Sequence, residues 1–288
     1  MAVVVVGSSG TVARLLVPHW ARIDAPVTLQ WRRKPVPAGP LPVLAWNPDD
    51  GPAALIAWVQ RAGPVRALLV LAGATPRTGR DLAQNTAVAE ACLAGARAAG
   101  IGRVLIASSS AVYGDHLARP YTEGDTPRPV SDYGRAKLAA EAACARWRQA
   151  GLEVTALRIG NVAGADSLLA PRPGANRAAP LVIDRYPDGG TPRRSYIGPG
   201  TLAEALIGLA TLPGPLPDVL NIAAPAPIEM ADLARAARCA WLPRPRSDTA
   251  GRSITLDCTR LWGLLPAPAE ASDPQAMVRQ IQTQGSAA

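Results

Sequence analysis

The chain of 288 residues contains no Phe, only two histidines (His19 and His116) and only two lysines, Lys34 and Lys137, among 30 Lys and Arg. Its four cysteines, Cys92, Cys144, Cys239 and Cys258, are dispersed. They form no C-x-x-C pair and have no histidine at ligand spacing, so neither a zinc site nor a disulfide framework is expected. Scattered thiols in a chain this long belong to a reducing compartment, and a cytoplasmic location is expected. No apolar run approaches the ~20 residues of a membrane span. The N-terminal run Ala2 to Val6 is too short for a secretion signal and lacks a basic flank, so no membrane association is expected. The balance of 30 cations against 22 acids leaves a net charge of +8. That charge is spread among helices and loops without an aromatic-interleaved stripe, which argues against a nucleic-acid partner. Trp20, Trp31, Trp46 and Trp58 accordingly read as core or pocket walls. The arginine excess reads as a compositional habit.

What is present is a core-forming composition, 48% hydrophobic and 18% charged, outside the range of disordered chains. Short runs rich in Val, Leu and Ile alternate with longer Ala-rich stretches. This pattern predicts strands at 2–6, 27–31, 42–46, 66–71, 103–108 and 153–157, with helices at 11–21, 53–62, 81–99 and 131–150. The order strand, helix, strand implies an α/β fold, a Rossmann-type doubly wound parallel sheet with ligands at the carboxyl ends of the strands. From 165 to 190 the chain is rich in Pro, Arg and Gly, with an apolar run at 181–183. It then returns to helix (201–211), strand (219–222) and helix (228–240). Residues 1–160, with 195–225 returning to them, are expected to form the dinucleotide-binding domain. Residues 161–194 and 226–288 are expected to form a small C-terminal substrate-binding lobe.

Gly7-Ser8-Ser9-Gly10-Thr11-Val12-Ala13 follows the first strand and opens the first helix. Gly7 permits the tight turn, Gly10 allows backbone to approach a pyrophosphate, and the helix start offers free N–H groups to the anion. At the end of the second strand, where an acid would bind the adenosine ribose, stand Trp31, Arg32, Arg33 and Lys34. Guanidinium groups suit a 2′-phosphate, which favours NADP over NAD. The alternative is that these cations only solvate a loop.

Tyr133 and Lys137 lie four residues apart, one turn on one helix face. Five Tyr and two Lys in 288 residues would give roughly 0.03 such pairs by chance, so the spacing is informative. A phenol titrating near ~10 becomes a base at neutral pH only if its phenolate is favoured by about 4 kcal/mol. A neighbouring ammonium is a source of that field. Upstream, the strand at 103–108 runs into Ser108-Ser109-Ser110-Ala111-Val112-Tyr113-Gly114, which places hydroxyls at a strand end.

These motifs, together with Leu71-Ala72-Gly73-Ala74, Asn85 and Leu157-Arg158-Ile159-Gly160-Asn161-Val162, resemble the extended short-chain dehydrogenase/reductase superfamily. More narrowly, they resemble its NAD(P)-dependent sugar-nucleotide epimerase/dehydratase branch. The resemblance runs from Ala2 to about Asn221. It implies an enzyme with Ser109, Tyr133 and Lys137 as the catalytic set. Gly7, Ser9, Gly10, Thr11, Val12, Arg32, Arg33, Leu71, Ala72, Gly73 and Asn85 would hold NAD(P), with Tyr133 and Lys137 also touching it. Ser109, Ser110, Asn161 and Arg194 would meet a small-molecule substrate. It also implies a homodimer built on the helices at 81–99 and 131–150, where Ala87, Ala91, Ala94 and Ala98 form a small-residue face that could instead lie on the sheet.

Two departures stand out. Dehydratases of the family carry Asp-Glu after the catalytic hydroxyl residue, where this chain has Ser110 and Ala111. The family's usual run of acids and histidine after the phosphate-binding arginine appears here as Ser195-Tyr196-Ile197-Gly198-Pro199-Gly200-Thr201, without those acids and histidine. Epimerisation, with two hydride transfers at a carbinol carbon, and reduction of a non-sugar carbonyl both stay open. A non-catalytic dinucleotide sensor is the rival of another class.

Overall fold

The computed structural model describes residues 2–23, 27–32, 39–170 and 180–282. The Val-rich run forms β1 (Ala2–Val6), and Val3 to Val6 are almost wholly excluded from solvent. Burial on both faces requires β1 to be an interior strand, and it pairs in parallel with β2 (Val27–Trp31) and β4 (Val65–Val70). β2 in turn pairs with β3 (Val43–Ala45), and β4 with β5 (Arg103–Ser109), again in parallel. β6 (Glu153–Ile159) and β7 (Val219–Ile222) complete a seven-stranded sheet of order β7-β6-β5-β4-β1-β2-β3. Ala156 N–H bonds Asp218 C=O and Gly160 N–H bonds Ile222 C=O, so β6 and β7 advance together in parallel. The order turns between β1 and β4, the switch point at which a doubly wound sheet opens a crevice.

The helices α1 (Thr11–Trp20), α2 (Ala53–Ala62), α3 (Gln84–Ala98), α4 (Asp132–Gln149) and α5 (Pro199–Thr211) accompany this sheet. Cys92, Leu93 and Ala96 of α3 and Ala140 and Cys144 of α4 pack with Val4, Val6, Leu68 and Val70 in one core. Each aliphatic side chain buried there contributes about 1.5–3 kcal/mol. Ala87, Ala94 and Ala98 are exposed, and Ala91 is half-buried, so the small-residue face of α3 points away from the sheet. Arg103 opens β5 at 4% exposure. It donates to Leu209 C=O (3.1 Å), Leu212 C=O (2.7 Å), Gly214 C=O and Glu153 Oε1 (2.9 Å). Its guanidinium thereby satisfies carbonyls that the end of α5 leaves without partners.

The chain divides into two compact units. The first comprises Met1–Gly114, Thr126–Arg158 and Ala203–Leu220, and the second Asp115–Asp125, Ile159–Leu202 and Asn221–Ala288. By this division residues 115–125, 159–160, 195–202 and 221–225, placed with the first domain in the sequence reading, fall within the second unit. In the second unit, strand Leu181–Arg185 pairs in parallel with Trp241–Pro245, and Arg193–Arg194 pairs with Ile228–Glu229 and Ser253–Ile254. The helix expected at 228–240 is shorter, α6 (Met230–Ala236). Its first two residues are taken by the strand pairing, and the chain leaves the helix through Arg238 at φ 54°. Helices α7 (Thr259–Leu264) and α8 (Pro274–Gln282) follow. Ile183, Tyr196, Leu233 and Met277 share the core of this unit. Among the described residues no helix is long and apolar enough to cross a membrane.

Candidate active site

The turn after β1 is built on Gly7, at φ +88°, where a Cβ would stand 2.5 Å from the backbone N of Ala72. Only glycine accommodates both that conformation and that approach. Gly10 N–H closes the turn on Gly7 C=O at 2.9 Å. α1 then begins at Thr11 with no side chain capping its first turn, so the amides of Thr11 and Val12 stay available to an anion. Ser9 and Thr11 are exposed, and Val12 is half-buried.

The turn is held by a residue that the sequence pattern did not single out. Gln30, 2% exposed in β2, accepts from Gly7 N–H at 3.0 Å and donates to Trp46 C=O, while Ser8 Oγ donates to Gln30 C=O. A polar residue amid the apolar alternation of a buried strand was the available signal. Trp31 is half-buried and Arg32 exposed beyond the end of β2. Arg33 lies outside the described residues. After β3, Asn47 Nδ2 donates to Asp50 Oδ1 at 2.9 Å, whereas its Oδ1 is buried without a partner. An orphaned buried acceptor is costly unless a ligand donor reaches it.

After β4, Leu71 N–H continues the ladder onto Val6 C=O at 2.9 Å. Asn85 (4% exposed) accepts from Ala74 N–H at 3.1 Å and donates to Ala74 C=O (3.1 Å) and Leu82 C=O (3.0 Å). A Cβ at Gly73 would lie 2.5 Å from Asn85 Oδ1 and 3.1 Å from Lys137 Nζ. Gly73, Asn85 and Lys137 are therefore immediate neighbours.

β5 ends at Ser109, whose Oγ accepts from Ala111 N–H at 3.2 Å. Ser110 begins the single helical turn that follows, and its side chain is half-exposed. Ser131 caps α4, accepting from Gly134 N–H at 3.1 Å. A Cβ at Gly134 would meet Ala111 C=O at 2.3 Å, so this glycine lets the start of α4 come down onto the serine turn. Lys137 Nζ donates to Ala107 C=O at 2.8 Å and lies 5.9 Å from the Tyr133 ring centroid. Burial raises the Tyr133 phenol above its usual range, and a hydrogen bond with Ser109 pulls it back down. Burial pushes the Lys137 ammonium down to about 8, against the opposing fields of Cys144 and Glu141. The three residues named from the pattern thus stand together, at the carboxyl end of β5 and the first two turns of α4.

Beneath them lies a cluster that sequence reasoning missed. Glu141, one turn beyond Lys137, accepts from Ser108 Oγ at 2.5 Å. It also accepts from Arg158 Nε (3.0 and 3.2 Å) and Nη2 (2.7 Å). Arg158 Nη1 donates to Tyr113 Oη at 2.9 Å, with the guanidinium 4.7 Å from that ring's centroid. The continued i, i+4 spacing 133, 137, 141 was the signal for it.

Asn161 and Arg194 belong to the second unit. Asn161 hydrogen-bonds the Tyr196 phenol, which itself donates to Asp166 Oδ2 at 2.9 Å. Arg194 Nη1 donates to Arg193 C=O at 2.7 Å. Burial pulls the Arg194 guanidinium below the ordinary arginine range, and the groups that face it are Tyr186, Tyr196, Arg252 and Asp184. At Gly198, where the related pattern has a histidine, a Cβ would meet Gln280 Oε1 at 2.1 Å. Gln280 of α8 fills that position and accepts from Thr201 N–H at 3.1 Å.

The model of the NAD dependent epimerase/dehydratase family matches residues 3–223. Among solved structures, a UDP-glucose-4-epimerase from Stenotrophomonas maltophila with bound NAD and formylated UDP-arabinopyranose is 20% identical, covers 100% of both chains and superposes with a TM-score of 0.77. The UDP-Glc/GlcNAc 4-epimerase from Campylobacter jejuni is 16% identical over 97% of each chain, with a TM-score of 0.77. An NAD dependent NDP-hexosamine 5,6-dehydratase is 19% identical over 100% of this chain and 98% of that one, with a TM-score of 0.72. These likenesses show a shared fold. An uncharacterised protein of Sinorhizobium fredii is 46% identical over 68 residues, a stretch that spans 23% of this chain and 17% of the relative.

Proposed function

The chain belongs to the NAD dependent epimerase/dehydratase family, as an enzyme of the extended short-chain dehydrogenase/reductase type, and from that membership we propose that it oxidises and reduces a carbinol carbon of a sugar nucleotide or related small molecule with Tyr133 as acid and base. The observation that carries this reading is the convergence of Ser109, Tyr133 and Lys137: a hydrogen-bonded phenol and hydroxyl, with an ammonium one turn below.

The residues present fit a dinucleotide. The Gly7 turn leaves a cradle that a Cβ would fill, α1 starts uncapped, and Asn47 Oδ1 is a buried acceptor awaiting a donor. Gly7, Ser9, Gly10, Thr11 and Val12 would hold the pyrophosphate, Arg32 the adenosine end, and Leu71 to Gly73 with Asn85 the path to the nicotinamide. When bound, the nicotinamide supplies the hydride acceptor or donor. Trp31 and Arg32 in place of a ribose-binding acid support NADP over NAD.

Tyr133 takes the hydroxyl proton as the carbinol is oxidised and returns it on reduction. Ser109 holds the same oxygen by a hydrogen bond, and the Lys137 ammonium favours the phenolate. Lys137 is held in place by Ala107 C=O and would also meet the nicotinamide ribose. Ser110 and Ala111 offer no acid to protonate a leaving hydroxyl, which supports epimerisation or reduction over dehydration. The missing ribose acid favours a single NADPH-dependent reduction as the second reading. Asn161 and Arg194 are assigned to the substrate, the latter to a phosphate. The exposed alanine face of α3 supports a homodimer through α3 and α4, and buried unpaired Cys92, Cys144 and Cys258 support a cytoplasmic setting.

Isothermal titration with NADP and NAD, followed by a substrate screen at the nicotinamide absorbance, tests the reading. Tyr133→Phe is expected to abolish turnover while leaving the cofactor affinity within about threefold. Turnover at the wild-type rate in that variant would refute the assignment of the acid/base.

A further inference from the structure

We propose that Glu141 is a positioning residue for the Ser109, Tyr133 and Lys137 set: its carboxylate, fixed between Ser108 of β5 and Arg158 of β6, registers α4 against the strand ends and places a negative charge one helical turn below the Lys137 ammonium. The inference rests on the reading of Tyr133 and Lys137 given above. Glu141, Ser108 and Arg158 are 8%, 6% and 4% exposed, and the carboxylate accepts four hydrogen bonds from two strands. α4 is thereby tied to the residue immediately before Ser109. A rotation of the helix that broke the hydrogen bond between Tyr133 and Ser109 would also break this cluster.

A buried ion pair is often replaceable by apolar side chains without loss of stability, so packing alone does not explain why a charge stands at this place. Its setting does. Tyr133, Glu141 and Cys144 are the titratable neighbours of Lys137 on its own helix, and Arg158 approaches from β6 through Glu141. β5 presents the Ala107 carbonyl and α3 the Asn85 carboxamide, neither of which titrates. Among these described groups Glu141 is the one carboxylate. Burial works against the Lys137 ammonium and Glu141 works for it.

The composition makes the test direct. Lys34 and Lys137 are the only lysines, so ε-13C-lysine labelling of the full chain yields two resonances, assigned with Lys34→Arg. In Glu141→Gln the titration midpoint of Lys137 is expected to fall by about one pH unit, and in Glu141→Asp, which keeps the charge, to stay within about 0.3 unit of wild type. A Lys137 midpoint unmoved in folded Glu141→Gln overturns the proposal. If Glu141→Gln does not fold, the paired change Glu141→Leu with Arg158→Met removes the ion pair as a whole, so that neither Glu141 nor Arg158 is left buried without the other. A fall in the midpoint of that variant supports the proposal, and an unchanged midpoint overturns it. This titration is read without substrate. Failure here leaves the proposed reaction standing, whereas full turnover in Tyr133→Phe would overturn the reaction and leave this result untouched.

Discussion

Replacing Lys137 by Met is expected to stabilise the folded protein at neutral pH and to abolish turnover. Lys137 is 6% exposed, and burial pushes its ammonium from 10.5 down to about 8. In the unfolded chain the same group titrates near ~10.4. Between those two values the unfolded chain holds a proton that the folded chain has released. Stability is therefore full above the unfolded value and is lost as the pH falls through about 8. At about 1.4 kcal/mol per pH unit, the burden on the folded state at pH 7 is about 3 kcal/mol. Methionine lifts that burden but leaves Ala107 C=O without its donor, which costs about 1 kcal/mol. The net gain of about 2 kcal/mol corresponds to a rise of about 5 °C in Tm. At about pH 9.5 most of the burden has gone from wild type as well, so the two proteins should be about equally stable there. Urea denaturation of both proteins at the two pH values measures the difference. A variant less stable than wild type at pH 7, or an advantage that does not change with pH, would refute the reasoning. On the function proposed above, such a gain in stability would make the lysine a group retained for chemistry at the expense of stability.

Two further substitutions probe the cofactor end. Gln30→Met keeps the side-chain volume but strands Gly7 N–H and Trp46 C=O, each at about 1–3 kcal/mol. The cofactor Kd measured by calorimetry should rise at least about tenfold, with kcat at saturating cofactor within about twofold, and an unchanged Kd would count against the role of Gln30 in the turn. Arg32→Ala should weaken NADP binding about tenfold and leave NAD binding unchanged, because only the 2′-phosphate gains a charge-assisted bond from it. Equal losses for both dinucleotides would remove Arg32 from the specificity site.

The sheet was legible because a strand buried on both faces announces itself as an uninterrupted apolar run. β1, β2, β7 and α2 fall where the pattern placed them, and the remaining strands of the sheet within one or two residues. The clustering of Ser109, Tyr133 and Lys137 was legible because the spacing of Tyr133 and Lys137 is helical and the serines stand at a strand end. The roles of Gln30 and Arg158 were not, since a polar residue inside a strand reads as solvent-facing until its partners are known, and those partners lie on other elements. The placing of 115–125 with the second unit was hidden for a related reason. Tyr121 pairs with Leu256, and Asn221 Nδ2 donates to Tyr121 C=O at 2.9 Å. Pairings of about a hundred residues' separation leave no local trace. The helix expected at 228–240 failed where Ile228 and Glu229 were drawn into a ladder with Arg193 and Arg194, tertiary pairing prevailing over local propensity.

The carbonyls gathered by Arg103 bear on the order in which the protein is made. The guanidinium enters the interior with β5, but the groups at Leu209, Leu212 and Gly214 that satisfy it emerge from the ribosome more than a hundred residues later. Until then a nascent chain that has formed β1 to β6 holds the guanidinium on Glu153 alone, with its remaining N–H groups unsatisfied, and leaves an open edge on β6. Such an intermediate cannot close cooperatively, and it offers a strand to other chains. The first unit therefore completes its folding only after much of the second has been synthesised, which makes the assembly of the sheet a slow, high-contact-order event and release from α5 onward its final step.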